Sequence, residues 1–192
     1  MSSTPEITIA NISEWQMMEP MEMRMQNTSD HIFPILKYNV ANLDPSKIYR
    51  PAISFERVDD YRYKLRDGKW GQDYLSKGQS GSAEPHPHRD GPQTGEYWMR
   101  ESINFYYLRI SSKKVSNGIP TVILEQKCLY QPRLLLFAGD TSEVLHCDVS
   151  QQFIPTSNPS KRLIALKRTI HLKNMSEARE RLETVEEVSQ EH

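Results

Sequence analysis

Short apolar or alternating segments recur along the chain, and most of them are bounded by Gly, Pro, Asn or Asp. Alternation of apolar and polar side chains is typical of half-buried β-strands, and those four residue types are common in turns. The pattern therefore predicts a β-rich fold, either a sandwich or a barrel. The expected strands are residues 32–40, 49–58, 61–65, 103–110, 121–124, 133–137 and 162–166.

Two segments depart from this strand pattern. Gln72–Pro92 is rich in Gly, Ser and Pro, which predicts an irregular loop. Ser176–Glu191 has helical propensity, a serine that can cap the first turn, and apolar residues at helical spacing. A solvated tail helix and a helix that docks on a partner are equally compatible with the second segment.

The composition is that of an ordinary soluble domain, with 192 residues of which 37% are hydrophobic and 26% charged. No apolar run is long enough to cross a membrane, and the N-terminus lacks the pattern of a signal peptide. We therefore expect a soluble intracellular protein without a membrane partner. Cys128 and Cys147 are too far apart for a redox or zinc-ribbon pair, so we expect free thiols.

Charge is unevenly distributed, although the formal net charge is only -1. Residues 1–30 and the stretch after residue 177 are mostly acidic. Between residues 101 and 173 there are ten Lys and Arg against five Asp and Glu, a local excess of five positive charges. A solvated basic surface and the electrostatic footprint of a nucleic-acid-binding protein both explain such an excess.

Candidate catalytic chemistry is sparse. His88-Arg89-Asp90 has the H-x-D spacing of a facial iron site, to which His146 or His171 would add the third ligand. Proline and glycine around the triplet argue against the regular strand that this site needs. The motifs G-x-S-x-G, P-loop and G-x-G-x-x-G do not occur. We therefore expect neither an enzyme nor a bound metal or cofactor.

Several sequence motifs between residue 22 and about residue 137 occur in the same order as in the T-box family of DNA-binding domains. The family patterns are F-P-x-L-K-x-x-V with L-D-P, then H-P-D-S-P-x-T-G-x-x-W-M and K-Y-Q-P-R. The segments that match these patterns are Phe33–Val40 with Leu43–Pro45, His88–Met99 and Tyr130–Arg133. Val58–Lys64 with Gly68–Trp70 is a further segment that resembles the family. The chain thus resembles a divergent T-box domain, and the H-x-D triplet falls in an exposed loop of that family.

This resemblance implies an all-β fold, an immunoglobulin-like β-sandwich or barrel of T-box type with a short C-terminal helix. It also implies a nuclear transcription factor that binds double-stranded DNA and regulates RNA polymerase II transcription in development. In the family, loops and the C-terminal helix grip the duplex, and aromatic rings enter the minor groove. We expect the T-box domain over residues 8–175 and an acidic helical tail over residues 176–192.

The sequence departs from the family at the positions that read DNA. Asp30-His31 stands where the family has an arginine pair, and Leu129 replaces a DNA-contacting lysine. A bidentate contact from arginine to guanine is worth about 1–3 kcal/mol of discrimination. No aromatic residue follows Phe153, so minor-groove insertion of aromatic rings is not carried over. We therefore expect an altered or relaxed sequence preference.

The expected DNA contacts are mainly electrostatic. Lys167 lies in the run Ala165-Leu166-Lys167, which resembles the family's T-x-L-K, and is carried over as a phosphate contact. Lys127 would substitute for the lysine lost at Leu129, two positions earlier and on the same strand face. For each candidate, an exposed or strand-pairing charge is the alternative. The candidate DNA-binding residues are Lys127, Arg133, Lys161, Arg162, Lys167, Arg168 and His31.

A competing hypothesis is a T-box fold that has lost DNA binding and serves as a protein-interaction module. The missing arginine, lysine and phenylalanines favour this hypothesis, whereas the basic excess in residues 101–173 favours DNA. A second copy of the chain or another transcription factor is the partner expected besides DNA.

Overall fold

The chain divides into two units, one that ends at Asn158 and one that begins at Pro159. The computed structural model describes residues 4–25, 32–76, 84–114, 118, 120–139, 144–146 and 151–190. All the strands among them lie in the first unit, and the second unit is one long helix.

The elements are numbered in chain order. The strands are β1 (Glu6–Ile9), β2 (Met21–Arg24), β3 (Lys37–Ala41), β4 (Ile48–Arg66), β5 (Lys69–Leu75), β6 (His86–Pro87), β7 (Gln93–Thr94), β8 (Ile103–Asn104), β9 (Arg109–Ser111), β10 (Thr121–Ile123), β11 (Cys128–Ala138), β12 (Val144–His146) and β13 (Phe153–Thr156). The helices are α1 (Ile12–Trp15), α2 (Gly95–Arg100) and α3 (Lys161–Gln190).

The main sheet has the order β2-β13-β11-β4-β5, with β12 beside β11 and the short strands β6 and β7 beside β4. Its centre is the antiparallel pair β4–β11, which is in register from Tyr49↔Ala138 to Arg57↔Tyr130 and resumes, after a register shift, at Arg62↔Cys128. Along β11 the buried side chains alternate with half-buried ones, as the two faces of a pleated strand require. This alternation places Leu134 and Leu136 in the core.

A smaller antiparallel sheet, β1-β3-β8, and the parallel pair β9–β10 complete the first unit. The core is rich in large aromatic and aliphatic side chains. Phe55 of β4 meets Phe153 of β13 edge to face, with ring centroids 5.9 Å apart. The buried Tyr38 of β3 donates a hydrogen bond of 3.0 Å to the Gln151 side chain. The predicted all-β fold with a C-terminal helix is thus confirmed.

Two of the predicted strand boundaries are wrong. Residues 49–58 and 61–65 belong to one continuous strand, β4. The acidic residues between them lie at an irregularity within β4, where the register with β11 shifts and the Asp59 carboxylate accepts the Tyr61 amide and the Tyr63 hydroxyl. In contrast, the strand expected at residues 103–110 is split into β8 and β9 by a turn, in which the Leu108 amide donates to the Phe105 carbonyl over 3.1 Å.

The strand expected at residues 162–166 is also wrong, because this segment is the start of α3. The helix begins at Lys161 rather than at Ser176. A short apolar run fits either a strand or a helix, and the decisive signal is the serine before it. The Ser160 hydroxyl accepts a hydrogen bond of 3.3 Å from the Leu163 amide and so caps the first turn.

The loop that carries the H-x-D triplet is built around a buried histidine, whereas the family resemblance predicts an exposed loop. His88 is only 6% exposed, and its ring packs edge-on against Trp98 and Phe105, with both centroid distances 5.1 Å. Its Nε2–H donates to the Asn104 carbonyl over 3.1 Å, and its Nδ1 accepts the Asp90 amide over 3.2 Å. Both ring nitrogens therefore hold the loop in place.

Helix α2 follows this loop at a glycine that no other residue can replace without a shift of the backbone. The Gly95 amide donates to the Lys47 carbonyl over 2.9 Å. A Cβ atom on Gly95 would lie 2.1 Å from the Asp44 carbonyl oxygen. The Thr94 hydroxyl caps the helix by accepting the Tyr97 amide over 3.3 Å. In the T-G pair of the sequence motif, Thr94 therefore caps helix α2, and Gly95 allows the close approach of two backbone segments.

Candidate nucleic-acid interface

Lys127 lies in the tight turn between β10 and β11, with its side chain exposed. Its backbone has a φ of +60°, in the left-handed region that side chains other than Asn, Asp and Gly rarely adopt. Two hydrogen bonds hold this conformation. The Lys127 amide donates to the Pro155 carbonyl over 2.9 Å, and its carbonyl accepts the Tyr63 amide over 2.7 Å. The turn is thus fixed to β4 on one side and to β13 on the other.

The prediction that Lys127 shares a strand face with residue 129 is wrong. Lys127 precedes β11, and the β4–β11 register shifts between Cys128 and Tyr130. Simple alternation therefore does not extend back to residue 127. Leu129 is 7% exposed and belongs to the core, whereas Lys127 is exposed. The residue at the family's lysine position is thus used for packing, and Lys127 presents its charge from a separate turn.

An ionic cluster ties the Lys127 turn to the β4–β5 hairpin. The Glu125 carboxylate lies 3.0 Å from the Arg62 guanidinium and 3.8 Å from that of Arg57. Arg62 also donates to the Gln126 carbonyl over 2.9 Å. Burial raises the pKa of the Cys128 thiol beside this cluster, so the thiol stays protonated at neutral pH. These contacts fix the hairpin relative to the turn.

Tyr63 follows Arg62 of this cluster along β4. Burial, together with the hydrogen bond to Asp59, raises the pKa of Tyr63 to about 12. The hydroxyl therefore remains a neutral donor at physiological pH, and its bond to Asp59 is 2.6 Å long. This contact helps to fix the orientation of the hairpin.

Arg133 lies in the middle of β11, away from the Lys127 turn. Its guanidinium is 2.9 Å from the Glu56 carboxylate on the neighbouring strand β4. Both side chains are more than one third exposed, so the pair is accessible to solvent. A phosphate that binds Arg133 has to compete with Glu56 for the same guanidinium.

The other four described candidates lie in the first half of α3. Lys161, Arg162, Lys167 and Arg168 are all exposed. Lys161 and Arg168 are seven residues apart, close to two helical turns, and so lie on one side of the helix. The structure therefore brings this group together on one element. His31 lies outside the described residues.

Charge is segregated along α3. Residues 161–173 contain five Lys and Arg and no Asp or Glu. The first turn has no acidic side chain to offset the partial positive charge of the helix N-terminus. Beyond residue 176 the sequence is mostly acidic. The first half of α3 is consequently an element that attracts anions.

Two basic residues near Lys127 were missed at the level of sequence. Arg62 and Lys64 line an open cavity of about 940 Å³ together with Lys127. The alternation of basic residues at positions 62, 64 and 66 is the signal that could have indicated them, because such residues share one face of a strand. That signal was hidden by the acidic residues next to it in the sequence.

No cluster of three or more His, Cys, Asp or Glu side chains suited to a metal ion occurs among the described residues. His88 of the H-x-D triplet uses both ring nitrogens for hydrogen bonds to the backbone. The triplet therefore has a structural role in the loop.

The T-box family model matches residues 7–161, which is most of the chain. The chain belongs to the T-box family. The human "T-box transcription factor TBX21" is 31% identical over 138 residues, 70% of this chain and 26% of that protein. The dog (Canis lupus familiaris) "T-box transcription factor T" is 29% identical over 150 residues, 76% of this chain and 34% of that protein. The mouse "T-box transcription factor TBX19" is 28% identical over 168 residues, 84% of this chain and 37% of that protein.

The chain therefore spans between 26% and 37% of the length of these three curated relatives. T-box proteins are not enzymes, so membership of the family confirms that this T-box chain is not one. None of the helices in the described part of the chain is long and apolar enough to cross a membrane.

Proposed function

We propose that this T-box chain binds double-stranded DNA as part of a nuclear regulator of RNA polymerase II transcription, with an altered sequence preference. The observation that carries the proposal is the basic first half of α3 in a chain of this family. The names of its relatives, which are T-box transcription factors, support the same function.

The first half of α3 supplies the main contacts with phosphate groups. A DNA duplex carries one negative charge per about 1.7 Å of its axis, so a compact basic element neutralises several phosphates at once. Lys161, Arg162, Lys167 and Arg168 are exposed along about two turns of the helix. Counterion release makes such binding strongly dependent on salt. Lys127 adds a further contact from the first unit.

The altered preference follows from the positions that no longer read bases. Leu129 is buried where the family has a lysine, so its side chain does not reach DNA. Asp30-His31 replaces the arginine pair in the sequence. Contacts with phosphate position a protein on DNA but carry little sequence information. We therefore expect weaker discrimination between the T-box half-site and other sequences than in the relatives.

Fluorescence polarisation across a salt series tests this function. The purified chain is titrated with duplexes that carry a T-box half-site and with scrambled duplexes of the same length. We expect salt-dependent binding to both, with a modest preference for the half-site. A chain that binds neither duplex at low salt would contradict the proposal and favour the protein-interaction module.

Charge reversal identifies the contacting element. The double variant Lys167→Glu and Arg168→Glu should weaken binding to every duplex and lower the slope of log K against log salt by about 2 or more. Arg179→Glu with Arg181→Glu is the matched control, because it makes the same charge change in the same helix outside the basic half. Equal binding by the wild type and the 167/168 variant would rule out these residues as contacts.

A second copy of the chain or another transcription factor is the further partner under this proposal. Sedimentation velocity with and without a half-site duplex measures the self-association of the chain directly. A complex of two chains per duplex supports self-association on DNA, and one chain per duplex contradicts it.

A further inference from the structure

The β4–β5 hairpin extends beyond the centre of the main sheet. Strand β11 pairs with β4 only as far as Arg62, and the Tyr63 amide then bonds to the Lys127 carbonyl. From Lys64 to Arg66, β4 pairs only with β5 among the described residues. The end of the hairpin is thus a two-stranded ribbon that projects from the sheet beside the Lys127 turn.

One side of this ribbon is basic. Arg62, Lys64 and Arg66 alternate along β4 and therefore share a face, and Lys69 lies directly opposite Arg66 on β5. We call these four residues the basic face. Asp73 is the acidic residue on the same side, where it forms an ion pair with Arg66. The basic face therefore has a net excess of positive charge.

The opposite side of the ribbon is directed toward the domain. The Trp70 indole N–H donates to the Glu22 carboxylate on β2 over 2.9 Å. Tyr63 donates to Asp59, and the Gln72 amide approaches the same carboxylate at 3.4 Å. The contact with Glu22 joins this side of the ribbon to β2, and Lys64, Arg66 and Lys69 on the other side are exposed.

Two positive charges of the basic face are not compensated. Arg62 pairs with Glu125, and Arg66 pairs with Asp73. Lys64 and Lys69 are exposed, and neither forms an ion pair with another described residue. Lys69 also lies directly across from Arg66, an arrangement of like charges that destabilises a hairpin. A bound polyanion would relieve this repulsion.

The basic face is continuous with the proposed DNA contact at Lys127. Arg62, Lys64 and Lys127 line the same open cavity of about 940 Å³. The cavity lining also includes the carboxylates of Asp73 and Glu125, both engaged in ion pairs, and of Glu84. Tyr74, which lies opposite Arg62, also lines the cavity at the inner end of the face. Farther out, strand alternation leaves Lys64, Arg66, Lys69, Gly71 and Asp73 on this face.

We infer that the basic face is a second phosphate-binding surface, which contacts the DNA backbone beside the segment bound at Lys127. The inference rests on the proposed function. Protein interfaces usually have an apolar or aromatic centre. On this face the exposed ring of Tyr74 lies at the inner end, opposite Arg62, and the outer part is charged. A strand advances about 3.3 Å per residue, so the ribbon extends the footprint by roughly 10 Å, or about 3 base pairs.

Removal of the two uncompensated charges tests the inference. Lys64→Gln with Lys69→Gln removes both charges and keeps polar, unbranched side chains. Lys47→Gln with Arg100→Gln is the control of equal charge change, because Lys47 precedes the other end of β4 and Arg100 ends α2. Each protein is titrated with a duplex that ends at the half-site and with duplexes extended by about one turn, roughly 10 base pairs, on either side.

The expected result depends on duplex length. On one of the two extended duplexes, the 64/69 variant should lose about 2 from the slope of log K against log salt, with weaker binding. On the short duplex, this variant should match the wild type, and the 47/100 control should match it throughout. The melting temperature of the 64/69 variant should not fall, because the change removes repulsion between like charges.

Three results would overturn the inference. Equal slopes for the wild type and the 64/69 variant on both extended duplexes would remove the basic face from the DNA footprint while leaving the proposed function intact. Wild-type protein that binds no duplex would contradict both the inference and the proposed function. Normal DNA binding by the 64/69 variant with loss of binding to polyglutamate would assign the face to an acidic polypeptide instead.

Discussion

Lys127 combines an exposed charge with a backbone conformation that restricts which residues can replace it. Its φ of +60° is enforced by hydrogen bonds to β4 and β13. A substitution chosen only to remove charge can therefore also disturb the turn. Asn tolerates this conformation, whereas a β-branched residue does not.

Lys127→Asn should keep the stability of the wild type and lower the slope of log K against log salt by about 1. Lys127→Val should in addition lower the free energy of unfolding by about 1–3 kcal/mol, because a β-branched side chain is strained at positive φ. Urea denaturation combined with the salt series separates the two effects. An unchanged slope in the Asn variant would remove Lys127 from the contact set.

Gly95 gives a prediction about stability alone. A Cβ atom there would lie 2.1 Å from the Asp44 carbonyl oxygen, so the backbone must shift. Gly95→Ala should lower the free energy of unfolding by about 1–3 kcal/mol, the usual range for overpacking. Gly71→Ala is the control for loss of a glycine, because a Cβ atom at residue 71 meets no atom within 4 Å. Equal stability of the two variants in urea would contradict the close crossing.

His88 makes the stability of the domain dependent on pH. Burial lowers the pKa of His88, and burial also lowers the pKa of His86. Below about pH 6.5 the unfolded chain therefore binds protons more readily than the folded chain, and stability falls as the pH decreases. Urea unfolding between pH 8 and pH 5.5 should show this decrease. His88→Gln should show a smaller decrease, and an identical pH profile would contradict the assignment.

The pairing of Arg133 across strands gives a prediction at the level of elements. Its guanidinium is held 2.9 Å from the Glu56 carboxylate, which competes with any phosphate. If Arg133 contacts DNA, Glu56→Gln should strengthen binding and increase the salt dependence, because the guanidinium is released. Arg133→Gln in the same background should reverse the gain. Unchanged binding in the Glu56→Gln variant would mean that Arg133 serves strand pairing alone.

At the same level, the sequence predicted the type of the long regular elements better than their ends. Short apolar or alternating runs bounded by turn residues identified β4, β10 and β11. It failed at Asp59 and Asp60, because these polar residues lie at an irregularity within β4 and do not end a strand. It also failed at residues 162–166, where the cap at Ser160 rather than the apolar run decides the structure.

The candidate site was only partly predictable, because the sequence does not show which residues lie next to each charge in the fold. A charge in the sequence does not reveal its partner. Arg133 and Lys127 look alike in the sequence, yet Arg133 is paired with Glu56 and Lys127 forms no ion pair with a described residue. The same is true within the hairpin, where Arg62 is paired with Glu125 and Lys64 forms no ion pair with a described residue. Contacts between distant residues decide which charges remain available.

For the whole molecule, a net charge of -1 conceals a basic first half of α3 and a mostly acidic second half. Because DNA would bind only the folded protein, it should also stabilise it. A duplex at about 100 times its Kd should raise the free energy of unfolding by about 2.7 kcal/mol. Thermal melting with and without duplex, at low and at high salt, measures this. A shift that persists unchanged at high salt would contradict an electrostatic interface.

The hairpin also ends the main sheet, and this has a consequence for how the molecule behaves at high concentration. Strand β5 is the last in the order β2-β13-β11-β4-β5, so its outer backbone groups have no strand partner among the described residues. Exposed strand edges of this kind can pair with strands of other molecules. Lysines and β-bulges at the edge usually prevent such pairing. Lys69 and the irregular register opposite Arg62 and Tyr63 supply both. The residues proposed to hold DNA would thus also keep the free protein from aggregating edge to edge.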